Sequence, residues 1–91
     1  MFAIVRSAKF KKDAKKYQND QKAQSIILDV ISLLAIGAPL PAKYKEHSLI
    51  GNYVGYLECH GRPDLLLIYQ RDFENKQIKL YRVGSHADLF K

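Results

Sequence analysis

At 91 residues with a single cysteine, Cys59, the chain has room for one domain and no intramolecular disulfide, which suits a reducing compartment. Its longest apolar run, residues 25–38, is interrupted by Asp29 and Ser32 and is too short for a bilayer span, and the apolar patch at the N-terminus is too short for a secretory signal, so a cytoplasmic protein is expected. The net charge of +6 is uneven: seven of the 15 lysines and arginines fall within residues 1–22, a block that favours a polyanion or an acidic partner unless it is only a solvated helix face.

Residues 2–6 are β-prone and read as a first strand. Ser7 suits the N-cap of a helix running to about Asn19, in which Phe10, Ala14 and Tyr17 form a narrow apolar stripe and Lys11, Lys12, Lys15 and Lys16 take the other faces. Asp20 can cap a second helix with a broad apolar face from Ala23 to Leu34, stopped by Gly37 with Pro39 and Pro41 beyond. Residues 38–52 read as an extended connector. Strands follow at 53–60 and 65–71, then a turn at 72–76, a third strand at 77–83, and a tail with one helical turn capped by Ser85. The order predicts one α+β domain over residues 1–91, with an N-terminal strand and a two-helix hairpin packed on one face of an antiparallel β-sheet.

The densest chemistry lies in LECHGRPDLLLIY, residues 57–69. A period of two sends Val54, Tyr56, Glu58 and His60 to one face, and Tyr53, Leu57 and Cys59 to the other, assigned to the core. Cys59 is then a small buried hydrophobe. Gly61 and Pro63 supply the turn. On the third strand Arg82 shares a face with Leu80 and Ile78, and its place at the strand end leaves it free to reach a cleft. The three histidines, His47, His60 and His86, show no helical spacing, and no HxxxH, HxH or CxxC pair occurs. With a basic setting, neither a metal nor another cofactor is expected. The same groups serve acid–base chemistry on a phosphodiester: imidazole and carboxylate move protons near neutral pH, and arginine meets the charge developing on phosphorus.

Two strings, HSLIGNYVGYLECHGRPDLLLIYQ (47–70) and YRVGSHADLF (81–90), resemble the YafQ family of bacterial type II toxins within the RelE/ParE superfamily. The resemblance rests on His47, Leu49, Gly51, Gly55, His60, Pro63, Asp64 and the Leu66–Tyr69 run, then on Arg82, Gly84, Ser85, His86, Leu89 and Phe90. The N-terminal half matches only in style. The resemblance implies a microbial-ribonuclease-like α+β fold and a ribosome-dependent, metal-independent mRNA endoribonuclease, neutralised by a cognate antitoxin. It implies a catalytic set of His47, Glu58, His60, Asp64 and His86, supported by Arg82 and Phe90, while the charge of the first helix leads us to expect its lysines to grip ribosomal RNA. Within that set His86 is the expected general acid and His60 or Glu58 the base. Asp64 either fixes the hairpin or orients a histidine, and His47 contacts phosphate or positions another group. Arg82 would stabilise the phosphorane, and Phe90 would stack on a base or seal a small core. Glu58 stands where the best-known member has aspartate, and Leu65 where it has tryptophan. The rival reading on the same fold is a gyrase inhibitor of the ParE type that acts by binding, without an acid–base set.

Overall fold

The computed structural model describes residues 1–90. Strand β1 (Ala3–Arg6) leads into Ser7, whose Oγ accepts a hydrogen bond from the Phe10 N–H at 2.9 Å and starts helix α1 (Ala8–Lys15). α1 ends four residues earlier than its sequence predicts. Asp20 is the reason: to cap α2 (Gln21–Ala35) it must be extended, and its carboxylate accepts from the Ala23 N–H at 3.0 Å. Residues between the helices therefore close as tight turns, with the Tyr17 N–H on the Ala14 carbonyl at 3.0 Å. α2 buries Ala23, Ile27, Val30, Ile31 and Leu34, one continuous stripe at helical spacing. Gly37, at φ +72°, closes its end with N–H bonds from Gly37 to Leu34 and from Ala38 to Leu33.

The remaining chain gives β2 (His47–Ser48), β3 (Leu57–Arg62), β4 (Leu65–Asp72) and β5 (Gln77–Gly84), followed by the short helix α3 (His86–Leu89) with Ser85 as its cap. The sheet order is β1-β5-β4-β3-β2. β2 to β5 are antiparallel neighbours, but β1 joins β5 in parallel, from Ala3 opposite Gln77 to Arg6 opposite Leu80. The sheet is thus mixed, not purely antiparallel as the element order predicts. Strand direction depends on a pairing across more than seventy residues, which no local pattern carries.

Two irregularities reset the alternation of side chains. In β3, His60 pairs with Leu66 and Arg62 with Leu65, so Gly61 is an extra residue within the strand and the turn is made by Pro63 and Asp64. Gly61 was expected in that turn. It instead lies under α2: a Cβ there would stand 2.5 Å from Ile26 Cγ2. In β5, Leu80 pairs with Tyr69 and Arg82 with Ile68, leaving Tyr81 as the extra residue. β3 also starts later than the sequence predicts, because Gly51–Tyr53 forms a 3-10 turn and Gly55 takes φ +92°.

Helices α1 and α2 cover one face of the sheet. Cys59, Leu65, Leu67, Tyr69, Ile78, Leu80 and Val83 meet Phe10 and the α2 stripe there in the main core. Burial pushes the Cys59 thiol up to about 12, in keeping with the inert, buried cysteine expected. The opposite face carries a smaller cluster of Leu66, Ile68 and Leu89, ringed by Tyr53, Tyr56, Tyr81 and Phe90. Tyr53 belongs here and not to the main core, since the strand that would have fixed its parity begins only at Leu57. Beyond the end of β1, side chains of α1's segment satisfy the open edge of β5. Ser7 Oγ donates to the Tyr81 carbonyl at 2.7 Å, and Asp13 Oδ2 accepts from the Val83 N–H at 3.2 Å. Among the described residues no helix is long and apolar enough to cross a membrane.

Candidate active site

Glu58 sits on the smaller-cluster face of β3, paired with His47 of β2 on one side and Ile68 of β4 on the other. Directly paired residues share a face, so His47 joins Glu58 there. His60, two residues on, shares it by the period of the strand. The result is one carboxylate between two imidazoles: Glu58 Oε1 lies 3.1 Å from His47 Nε2 and 3.3 Å from His60 Nε2. The Glu58 side chain is 6% exposed, whereas those of His47 and His60 are 47% and 34% exposed. A buried acid is therefore reached from solvent through two open rings. Its second oxygen, Oε2, is buried without a hydrogen-bond partner among the described residues. Leaving such an oxygen unpaired costs about 1–3 kcal/mol.

The connector is what brings His47 in. Lys45 adopts a left-handed backbone, φ 52°, and its carbonyl lies 2.8 Å from His47 Nδ1. A carbonyl only accepts, so Nδ1 donates, and the ring is held with Nε2 towards Glu58. The neighbouring Glu46 anchors the same segment from the other direction, accepting from the Tyr69 hydroxyl and from Arg71 Nε at 3.0 Å. Burial, with the Glu46 carboxylate that accepts its hydroxyl, drives the Tyr69 phenol well above its ordinary range, so it stays a donor. Glu46 and Arg71 were not singled out from the sequence, and Tyr69 was noted only as part of the motif, with no role. Their partners are more than twenty residues apart, and no spacing signals them.

The other expected site residues lie at differing distances from this centre. Asp64 is exposed in the two-residue turn, and neither it nor His86 joins His47, Glu58 and His60 in the group whose ligating atoms all lie within 4.8 Å of one another. His86 opens α3, exposed, with its ring 4.8 Å from that of Phe90. His60, Leu66 and Gly84 are register partners across three strands, so α3 leaves the sheet at the same end as His60, roughly 10 Å away by the strand spacing. Arg82 departs from its expected parity. The bulge at Tyr81 sets it opposite Ile68, on the face away from Leu80 and Ile78, and its Nε and Nη2 bond the buried Asp13 at 2.7 and 3.1 Å. Asp13 thereby holds the guanidinium above its already high ordinary value. Lys11, Lys12, Lys15 and Lys16 are all exposed along α1 and its C-cap.

Spacing argued against a metal, yet strand pairing gathers two imidazole nitrogens and a carboxylate oxygen within 4.8 Å, a set of the kind that binds transition-metal ions. The unpartnered Glu58 Oε2 adds a donor to that set.

The model of the family described as bacterial toxin of the type II toxin–antitoxin system, YafQ, matches residues 2–91. The chain belongs to that family. The mRNA interferase toxin YafQ of Escherichia coli strain K12, whose name denotes an endoribonuclease, is 38% identical over 88 residues, covering 96% of this chain and 94% of that one. Two solved structures carry the same fold over the full length. A metal-bound toxin from Helicobacter pylori is 40% identical with a TM-score of 0.89, covering 99% of this chain and 100% of its own. The YafQ chain of the Escherichia coli DinJ–YafQ complex is 36% identical with a TM-score of 0.85, with both chains covered completely. The α+β fold and the YafQ kinship expected from the two C-terminal strings are thus both found, and the kinship extends through the N-terminal half that matched only in style.

Proposed function

We propose that this YafQ-family toxin is a ribosome-dependent mRNA endoribonuclease that cuts by attack of the 2′-OH on the adjacent phosphate and is neutralised by a cognate antitoxin. The observation that carries the reading is Glu58, a buried carboxylate with one oxygen between two imidazoles and the other unpaired. Burial without a partner is costly for a purely structural acid, and a substrate hydroxyl would supply the missing donor. The Glu58–His60 pair takes the 2′-OH proton as the oxygen attacks phosphorus, and His47 holds the carboxylate in place. The bond from phosphorus to the 5′ oxygen then breaks, and His86 gives that oxygen its proton, leaving a cyclic phosphate and a 5′-hydroxyl. Asp13 occupies Nε and Nη2 of Arg82, so the remaining Nη1 is the donor for a phosphate oxygen. Asp64, exposed in its turn, is better suited to fixing the hairpin than to proton transfer. The exposed lysines of α1 grip ribosomal RNA.

The Helicobacter pylori relative is metal-bound, and here His47, Glu58 and His60 would hold such an ion. When bound, the ion would supply a Lewis acid at the position from which Glu58 otherwise accepts a proton.

The test is primer extension on a translated message with the parent, Glu58→Gln and His86→Ala. The parent should cut the translated message and leave free RNA intact. Each variant should lose on the order of 10²–10⁴ in rate. Cutting at the parental rate by either variant would refute its assigned role.

A further inference from the structure

We infer that the aromatic pocket between the 51–53 turn, the β5 bulge and α3 receives a nucleobase of the RNA, with Asn52 reading its edge. This rests on the endoribonuclease reading above and adds a specificity pocket to it. The cavity, about 430 Å³, is lined by Ile50, Asn52, Tyr53, Tyr81, Leu89 and Phe90. Its three rings stand at fixed angles: Tyr53 lies 5.5 Å from Phe90 at 76° and 6.1 Å from Tyr81 at 62°. Two of these rings are held in place. The Tyr53 hydroxyl donates to the Leu89 carbonyl at 3.2 Å, and Tyr81 lies against Tyr56 with centroids 5.0 Å apart. The bulge puts Tyr81 and Arg82 together opposite Ile68, on the site face.

The chemistry of the lining selects a flat, π-faced guest with polar edges. Stacking on aromatic side chains is how unpaired bases are held, and it tolerates any base. Discrimination needs a group with both a donor and an acceptor, and the exposed amide of Asn52 is that group at the pocket mouth. Cation placement fits a nucleotide as well: Lys9 Nζ is 3.4 Å from the hydroxyl of Tyr81, a lining residue, and 5.5 Å from its ring centre. The pocket is also continuous with the site, because Phe90 forms its wall and carries the His86 ring at 4.8 Å. A base seated there lies one ring away from the general acid, beside the scissile bond.

Cleavage-site mapping on one translated message tests this with the parent, Asn52→Asp and Tyr81→Leu. Asn52 is exposed, so Asn52→Asp should melt with the parent while exchanging an amide donor for an acceptor. It should redistribute cutting among sites by about ten-fold or more at the parent's preferred nucleotide. Tyr81→Leu should slow cutting at every site, about ten-fold. A parent that cuts, with both variants giving its site pattern and rate, overturns the base pocket alone. A parent that cuts no RNA overturns both readings. If the variants cut as the parent does and lose affinity for the antitoxin instead, the pocket holds an antitoxin side chain and the inference falls.

Discussion

Gly61→Ala isolates one methyl group at the joint between the core and the candidate site. Gly61 has no left-handed backbone to protect, so the effect is steric. The new Cβ would stand 2.5 Å from Ile26 Cγ2 and 3.5 Å from the Leu65 carbonyl oxygen. Ile26 is β-branched on a helix, where its Cγ2 has little rotamer freedom to move aside. Overpacking of this kind costs about 1–3 kcal/mol, and the reduced chain entropy of alanine returns about 0.4–1 kcal/mol. The net loss is therefore about 1–2 kcal/mol, or a fall in Tm of roughly 5–15 °C for a domain of this size. Because His60 immediately precedes Gly61, the backbone shift that relieves the clash should also move its Nε2 from Glu58 and slow cleavage. Thermal unfolding of four proteins decides the matter: parent, Gly61→Ala, Ile26→Ala and the double variant. Ile26→Ala removes the clashing methyl, so the double variant should be more stable than the sum of the single losses by about 1 kcal/mol. A Gly61→Ala protein that melts within a degree of the parent, or a cycle that is simply additive, would refute the steric account of this glycine.

Asp13→Ala should destabilise by about 3 kcal/mol in urea, since it strips both the Arg82 guanidinium and the Val83 N–H of their shared acceptor; a loss under about 1 kcal/mol would mean the pair contributes little. Replacing Lys11, Lys12, Lys15 and Lys16 by glutamine should leave Tm nearly unchanged but reduce the slope of log affinity for ribosomes against log salt by about 3. An unchanged slope would return α1 to a merely solvated face. Hydrogen bonds from the Asn75 side chain and N–H, with Lys79 nearby, hold the Asp72 carboxyl down to about 2 from its ordinary 3.8. A lowered acid stabilises the fold above its unfolded value and loses that contribution as pH falls through the folded one. Asp72→Asn should thus lower Tm at pH 6 and match the parent at pH values below about 2, a convergence that melting curves at both pH values will show.

The sequence by itself determined what is settled within a few residues. Ser7, Asp20 and Ser85 cap their helices where their side chains can reach the third N–H onward, and Gly37 stops α2 through its own φ. Strand period alone separated the buried Cys59 from Glu58 and His60 and so exposed half of the candidate site. The motif strings placed the chain in its family. Tertiary structure decided everything that turns on register. His47 meets Glu58 because β2 pairs with β3 across the eight residues 49–56, held by Lys45, Glu46, Tyr69 and Arg71. That pairing, not any HxH or HxxxH spacing, makes the three-ligand cluster. Arg82 changed face because the bulge at Tyr81 adds a residue to β5, and one residue inverts every side chain beyond it. The same bulge placed Tyr81 and opened the pocket beside Phe90. Local preferences choose caps and faces from neighbouring residues, whereas bulges and strand partners follow from how distant segments pack, so Glu58 and His60 were legible together in LECHGRPDLLLIY and their meeting with His47 was not.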